Sequence, residues 1–495
     1  MIVLERHDGL DLVRYRRIAR DGEAVGIAPA LLAAVDDRRA RMLAHLAGGG
    51  DTYGVTTGVG YLSRVPLGPE QQVAFQRSLL RRGAGHGAAL PREVVRGTLL
   101  LRLTGFLSGH AGVSAELCRT LAARLNDDWI PWVPARGTAS AGEVIALSHL
   151  FGTLVGEGQV LVAGERADAG AELAARRLEP YVPLVKEGIA LVNGAPLAPA
   201  LAAWLGERVR ALLAHATLAG ALTLTRAGAS ARPYARRIGR MKGDPGQMRV
   251  HDELTRLLDG AGRLDVVAQG PVSFRVLPQV HGPVHDLLDH LDAQLAREVV
   301  AVTDSPLFLE AHDDEPDGSY PSGNFHAGAL ALLLDALAIA VAQISNLSER
   351  RLHRLLDARF SRLPEQLASG EAGRTGLVFL HKSVIGLCVE GRMLAAPASV
   401  HPMDTSAGQE DIQSHALLAG EKLERLLDDA ERVVASELVA ARQGHHLGDA
   451  RLGAPLAGAV ARLATLVEPV TEERNLGDDV ERVLAAMRAG ELSGS

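Results

Sequence analysis

From Gly328 to Leu356 the chain is apolar nearly all the way round when wound as a helix, and such a helix needs neighbours on every side. At about 30 residues it would be about 45 Å long. One compact chain cannot surround a rod of that length, so its burial predicts packing against further copies in a homo-oligomer. Asp335 and Gln343 interrupt the apolar run, which argues for a bundle helix and against a membrane span. The segment from Pro196 to about Ala227 has the same helical pattern. From Asp411 onward, Leu423, Leu426, Leu427, Ala430, Val433, Val434 and Leu438 follow a three-four spacing that predicts an amphipathic helix. The expected fold class is therefore mainly α.

A chain of 495 residues exceeds the size at which one core stops growing, so two lobes are expected. Up to Gly194 the sequence is broken by Gly- and Pro-bearing loops at 53–60, 83–91 and 131–142, whereas the remainder is dominated by helical patterns. This predicts an N-terminal lobe over 1–194 that carries the active-site loops, and a helical bundle over 195–495. Formal charge is 52 minus 59, or -7, with both signs interspersed, which excludes a general nucleic-acid or anionic-membrane surface. Cys118 and Cys388 are too few for a disulfide framework or a cysteine-type zinc site. With an N-terminus that has no apolar run after a basic start, the expected location is cytoplasmic.

Several apparent signals carry no chemistry. Gly83, Gly85 and Gly87 lack a phosphate-cradling spacing and are expected to make a tight turn. The sequon at Asn346 lies in a predicted helix. His281, His285 and Asp289 would share a helix face, but no fourth ligand is evident and no metal is expected there.

The informative segments are Tyr53-Gly54-Val55-Thr56-Thr57-Gly58-Val59-Gly60, Lys186-Glu187-Gly188-Ile189-Ala190-Leu191-Val192-Asn193-Gly194, the stretch Gln269 to Gln279 with Ser273, Arg275 and Pro278, Ser322-Gly323-Asn324-Phe325-His326, and Ser406-Ala407-Gly408-Gln409-Glu410-Asp411. In this order and over residues 50 to 440, they resemble the histidine/phenylalanine/tyrosine ammonia-lyase family. The resemblance implies a loop-bearing N-terminal lobe on a long helical bundle, assembled as a tetramer whose sites combine several subunits. It also implies an Ala-Ser-Gly tripeptide that cyclises and dehydrates to a methylidene-imidazolone (MIO), whose electron-poor methylene makes the substrate amine able to leave.

The corresponding stretch here reads Gly137-Thr138-Ala139-Ser140-Ala141-Gly142-Glu143. Counting back from His149 puts Ala141 where the dehydrated serine belongs. Alanine has no hydroxyl to lose, so in this register no cofactor is expected; a register shifted to Ala139-Ser140-Ala141 would restore one. The family's second tyrosine is replaced by Val272, its Asp by Gly270 and its loop Asn by Thr56, while Arg81 and Arg82 stand where histidine-acting members carry Ser-His.

By the resemblance, Tyr53 and Glu410 act on protons, Tyr53 as a base if cationic surroundings lower its pKa. Arg275 clamps a substrate carboxylate in a bidentate fork. Asn193, Gln269 and Gln409 orient polar groups, Phe325 adjoins the substrate, and Arg81 and Arg82 suggest a second anionic group on it. The expected function is an enzyme that works without MIO, performing elimination, isomerisation, addition or ring closure on a carboxylate-bearing, amino-acid-derived small molecule, in specialised metabolism. Two alternatives stand beside it: a conventional ammonia-lyase or aminomutase, which would hold if Ala141 is an engineered change or the register is shifted, and a non-catalytic scaffold that binds a ligand or partner.

Overall fold

A computed structural model describes residues 1–49, 52–227, 229–262, 269–312, 314–369 and 373–492. It is mainly α, and among the described residues the strands form only two-stranded sheets. Two compact units are each assembled from three stretches of chain. The first comprises Met1–Trp204, Leu291–Leu332 and Ala398–Glu421, the second Leu205–His290, Leu333–Pro397 and Lys422–Ser495.

The elements that matter for the site are strands β1 (His86–Ala89) and β2 (Pro134–Arg136), and helices α1 (Val144–Gly152), α2 (Leu197–Arg226), α3 (Leu277–Glu298), α4 (Gly328–Leu356), α5 (Val378–Leu394) and α6 (Ala416–Leu447). In α6 the predicted stripe is the buried one: Leu423, Leu426, Leu427, Ala430, Val433, Val434 and Leu438 are all inaccessible to solvent. The helix starts at Ala416 and not at Asp411, because His415 adopts a left-handed φ of 54° that a right-handed helix cannot include.

Glu187–Arg226 and Gly328–Leu356 are long and apolar enough to cross a membrane, yet 83% and 56% of their most apolar windows are buried inside the chain. In α2 this burial is close enough that Gly220 has no room for a side chain: a Cβ there would lie 2.4 Å from the Leu277 side chain on α3. In α4, Leu334, Leu337 and Val341 are buried, but Leu332 and Ile339 face outward.

Buried charge fastens the second unit. Arg351 on α4 forks onto Glu437 on α6, with Nε and a terminal nitrogen each 2.7 Å from one carboxylate oxygen. Thr223 on α2 and Ser348 on α4 donate their hydroxyls to the same carboxylate, so its lone pairs are satisfied in an apolar interior.

Candidate active site

In the first unit, the loop 137–143 runs from the end of β2 to the start of α1, and its last residue pins it. Glu143 is buried and accepts the backbone N–H groups of Leu197 and Ala198 at 2.6 Å each, capping the start of α2. Burial pushes its carboxyl up to about 8, against the pull of those N–H groups and of Arg102. The Glu143 N–H in turn donates to Gly194 O at 3.3 Å, which ties the loop to the 186–194 segment. That segment is held from below by Lys186, buried and paired with Asp304 at 2.8 Å.

Above this base, Glu410 reaches the loop. Its Oε2 accepts the Ala141 N–H at 2.8 Å and its Oε1 accepts the Ser406 hydroxyl at 2.9 Å. The Ser140 hydroxyl donates to Gly142 O at 2.5 Å. Loop 137–143 opens on a cavity of about 560 Å³ whose other walls include Phe325, His401, Met403, Leu417 and Glu421. The walls are largely apolar, and Phe325 lies against Gly142.

Tyr53 stands on the neighbouring loop. Gly54 has φ +70° and a Cβ there would lie 2.8 Å from Ile189, so only glycine lets the Tyr53 loop close onto the 186–194 segment. Buried Gln76 joins the same two segments, donating to Gly54 O at 2.8 Å and accepting the Ile189 N–H at 3.0 Å. The Tyr53 hydroxyl accepts the Gly60 N–H at 2.8 Å. Its pKa is raised, so the lowering on which its role as a base was made conditional is not found: burial is the largest cause and the Glu410 charge adds to it, outweighing the Gly60 N–H and Arg82.

The remaining expected residues divide. Asn193 is committed to the backbone: its amide donates to Ser305 O, its side-chain oxygen accepts the Gly194 N–H at 2.7 Å, and its own carbonyl accepts from Arg102. Arg81 forms an ion pair with Glu157, while Arg82 stacks over Phe75 at 5.2 Å and its field reaches Tyr53. Gln409 is exposed beside Glu410. Gln269 and Arg275 belong to the second unit, where they line a separate pocket of about 510 Å³ together with Arg232; Arg275 Nε donates to Gly270 O at 3.0 Å.

Gly83 and Gly85 do not form a tight turn. They lead into β1 and lie against the His149 ring, which accepts the Gly85 N–H at 3.0 Å. His281 is bonded to Thr217 and Asp289 to Arg249, so their shared helix face is already engaged. Sequence reasoning gave no role to Gln76, Glu143 or Ser406. For Glu143 a signal existed, an acid at the mouth of the apolar run 144–147; for Gln76 there was none, since its partners lie 22 and 113 residues away.

The aromatic amino acid lyase family matches residues 10–465. A histidine ammonia-lyase of Symbiobacterium thermophilum is 36% identical over 448 residues, spanning 89% of this chain and 87% of the relative. Among solved structures, the ergothioneine-degrading ergothionase of Treponema denticola superposes with a TM-score of 0.93 at 26% identity, over 99% of both chains. A tyrosine aminomutase of Streptomyces globisporus does so with a TM-score of 0.91 at 28% identity, over 99% of this chain and 97% of its own. These matches correct the expectation that no cofactor is made, because the family they define carries MIO. That expectation rested on the register counted back from His149 and on a loop that, counted from Gly137, is one residue shorter than the family pattern. By sequence match along nearly its whole length, this chain belongs to the aromatic amino acid lyase family.

Proposed function

We propose that the protein is a conventional amino acid ammonia-lyase, with aminomutase activity as the variant of the same chemistry, and that its MIO arises from Ala139-Ser140-Ala141. The observation that carries this reading is the Glu410 carboxylate on the Ala141 N–H, beside a serine that still has its hydroxyl. Ring closure needs the amide nitrogen two residues after a carbonyl to attack its carbon, and a carboxylate on that N–H can take the proton. One water leaves with the Ala139 carbonyl oxygen and one with the Ser140 hydroxyl. The register with Ala141 in the middle does not fit the group, since it offers no hydroxyl.

When formed, the group supplies an electron-poor methylene that makes the substrate amine a competent leaving group. The chain's own residues bind and move protons. The apolar walls around Phe325 and Leu417 suit a planar side chain and exclude water from it. Tyr53, as phenolate, takes the β-proton; the C–H pair becomes the double bond and the amine departs with the C–N pair. Glu410 holds the loop and exchanges protons with it, and Arg275 is assigned to the substrate carboxylate in an oligomeric site.

The test joins intact mass to activity. We expect a deficit of two waters that peptide mapping places at residues 139–141, lost in Ser140→Ala, together with ultraviolet-absorbing product from histidine, phenylalanine or tyrosine. An unmodified mass in active protein would overturn the cofactor assignment. The likeness to ergothionase favours a second reading in which ergothioneine is the substrate. Turnover of ergothioneine alone would replace the first reading by the second.

A further inference from the structure

In the second unit, three metal-ligating side chains meet where α4 passes α5. Glu349 and His353 are four residues apart on α4, one turn along the same face, and His381 stands in the first turn of α5. His381 Nε2 lies 2.8 Å from Glu349 Oε1, the rings of His353 and His381 stack at 4.7 Å, and one ligand atom from each residue lies within 4.8 Å of the other two. We propose that Glu349, His353 and His381 form a binding site for a divalent transition-metal ion of the zinc type.

An independent observation points the same way. His353 Nδ1 is sealed from solvent and has no hydrogen-bond partner among the described residues. A buried imidazole nitrogen without a partner costs free energy, and a metal ion is one of the few groups that would satisfy it. The protonation states suit ligation. Burial, reinforced by the neighbouring His381, lowers the His353 pKa and keeps that ring neutral. Burial alone would raise the Glu349 carboxyl, but hydrogen bonds from His381 and Arg350 outweigh it and lower its pKa.

Two imidazoles and one carboxylate select zinc-like ions over magnesium or calcium, which prefer oxygen ligands throughout. Three protein ligands leave a fourth, tetrahedral position for water. Ligand atoms about 2.1 Å from such an ion stand about 3.4 Å apart. The Glu349–His381 pair must therefore open by roughly half an ångström and His353 swing inward, both within reach of side-chain rotation. Arg350 already pairs with the other carboxylate oxygen, the outer contact that orients a ligating carboxylate. The bound ion would fasten α4 to α5.

Zinc titration of the full chain, stripped with chelator and followed by calorimetry, tests this directly. We expect one ion per chain, with affinity lowered at least about tenfold in both His353→Gln and His381→Gln. In the unaltered protein, zinc should slow hydrogen exchange in peptides that cover 346–356 and 378–385. Cobalt in its place should give the visible absorption of a four-coordinate site. Absence of micromolar binding by the unaltered protein, affinity unchanged in both variants, or protection confined to other peptides would each overturn the assignment.

Discussion

At the scale of single residues, Tyr53 carries the sharpest consequence. Burial and the Glu410 charge raise its pKa, so at neutral pH the free enzyme holds it as a phenol. A base must be deprotonated to act, and below its pKa the phenolate fraction grows tenfold per pH unit. Log kcat/KM should therefore climb with pH through about pH 9 without levelling near neutrality. Tyr53→Phe should lower kcat by about 10² to 10⁴ and abolish that alkaline rise. A plateau at neutral pH in the unaltered enzyme, or a Phe variant with undiminished kcat, would remove Tyr53 from the proton transfer. Ser140 and Ala141 show how much one atom decides: a single hydroxyl separates a tripeptide able to dehydrate from one that cannot.

At the scale of elements, the second unit depends on the fork between α4 and α6. Arg351 and Glu437 are wholly buried, and Glu437 also accepts from Thr223 on α2. Glu437→Gln keeps the shape but strands the guanidinium charge in an apolar interior, at a cost of about 3–5 kcal/mol. Urea denaturation at fixed protein concentration should show this as a lowered midpoint with the slope unchanged. A midpoint within error of the unaltered protein would mean that water reaches Arg351. The seven-residue stripe from Leu423 to Leu438 was legible because a helix repeats every 3.6 residues and its buried face must follow. The start of α6 was not, since nothing in a period announces the left-handed φ of His415.

At the scale of the molecule, apolar surface is left over. Leu332 is 65% exposed and Ile339 46% on α4, and on α5 Ile385, Val389 and Met393 recur every four residues along an exposed face, Met393 at 74%. Surface of this kind on long helices is what further copies of the chain would cover. We expect a homotetramer, to be checked by light scattering at micromolar concentration. A stable monomer there would refute it and would leave Arg275 without a route into a shared site.

The local pattern of residues determined the helices, because periodicity is written within a few turns, and it determined the family, because its loop motifs are short and continuous. Tertiary structure alone decided which of those loops meet. Glu410 reaches the Ala141 N–H across 269 residues, and Glu143 caps α2 across 54 and 55. It also decided the sign of the Tyr53 shift, since burial is a property of everything packed around a phenol and of no segment by itself. His353 and His381 are likewise unremarked in sequence, 28 positions apart on separate helices; only the crossing of α4 and α5 brings their rings to 4.7 Å.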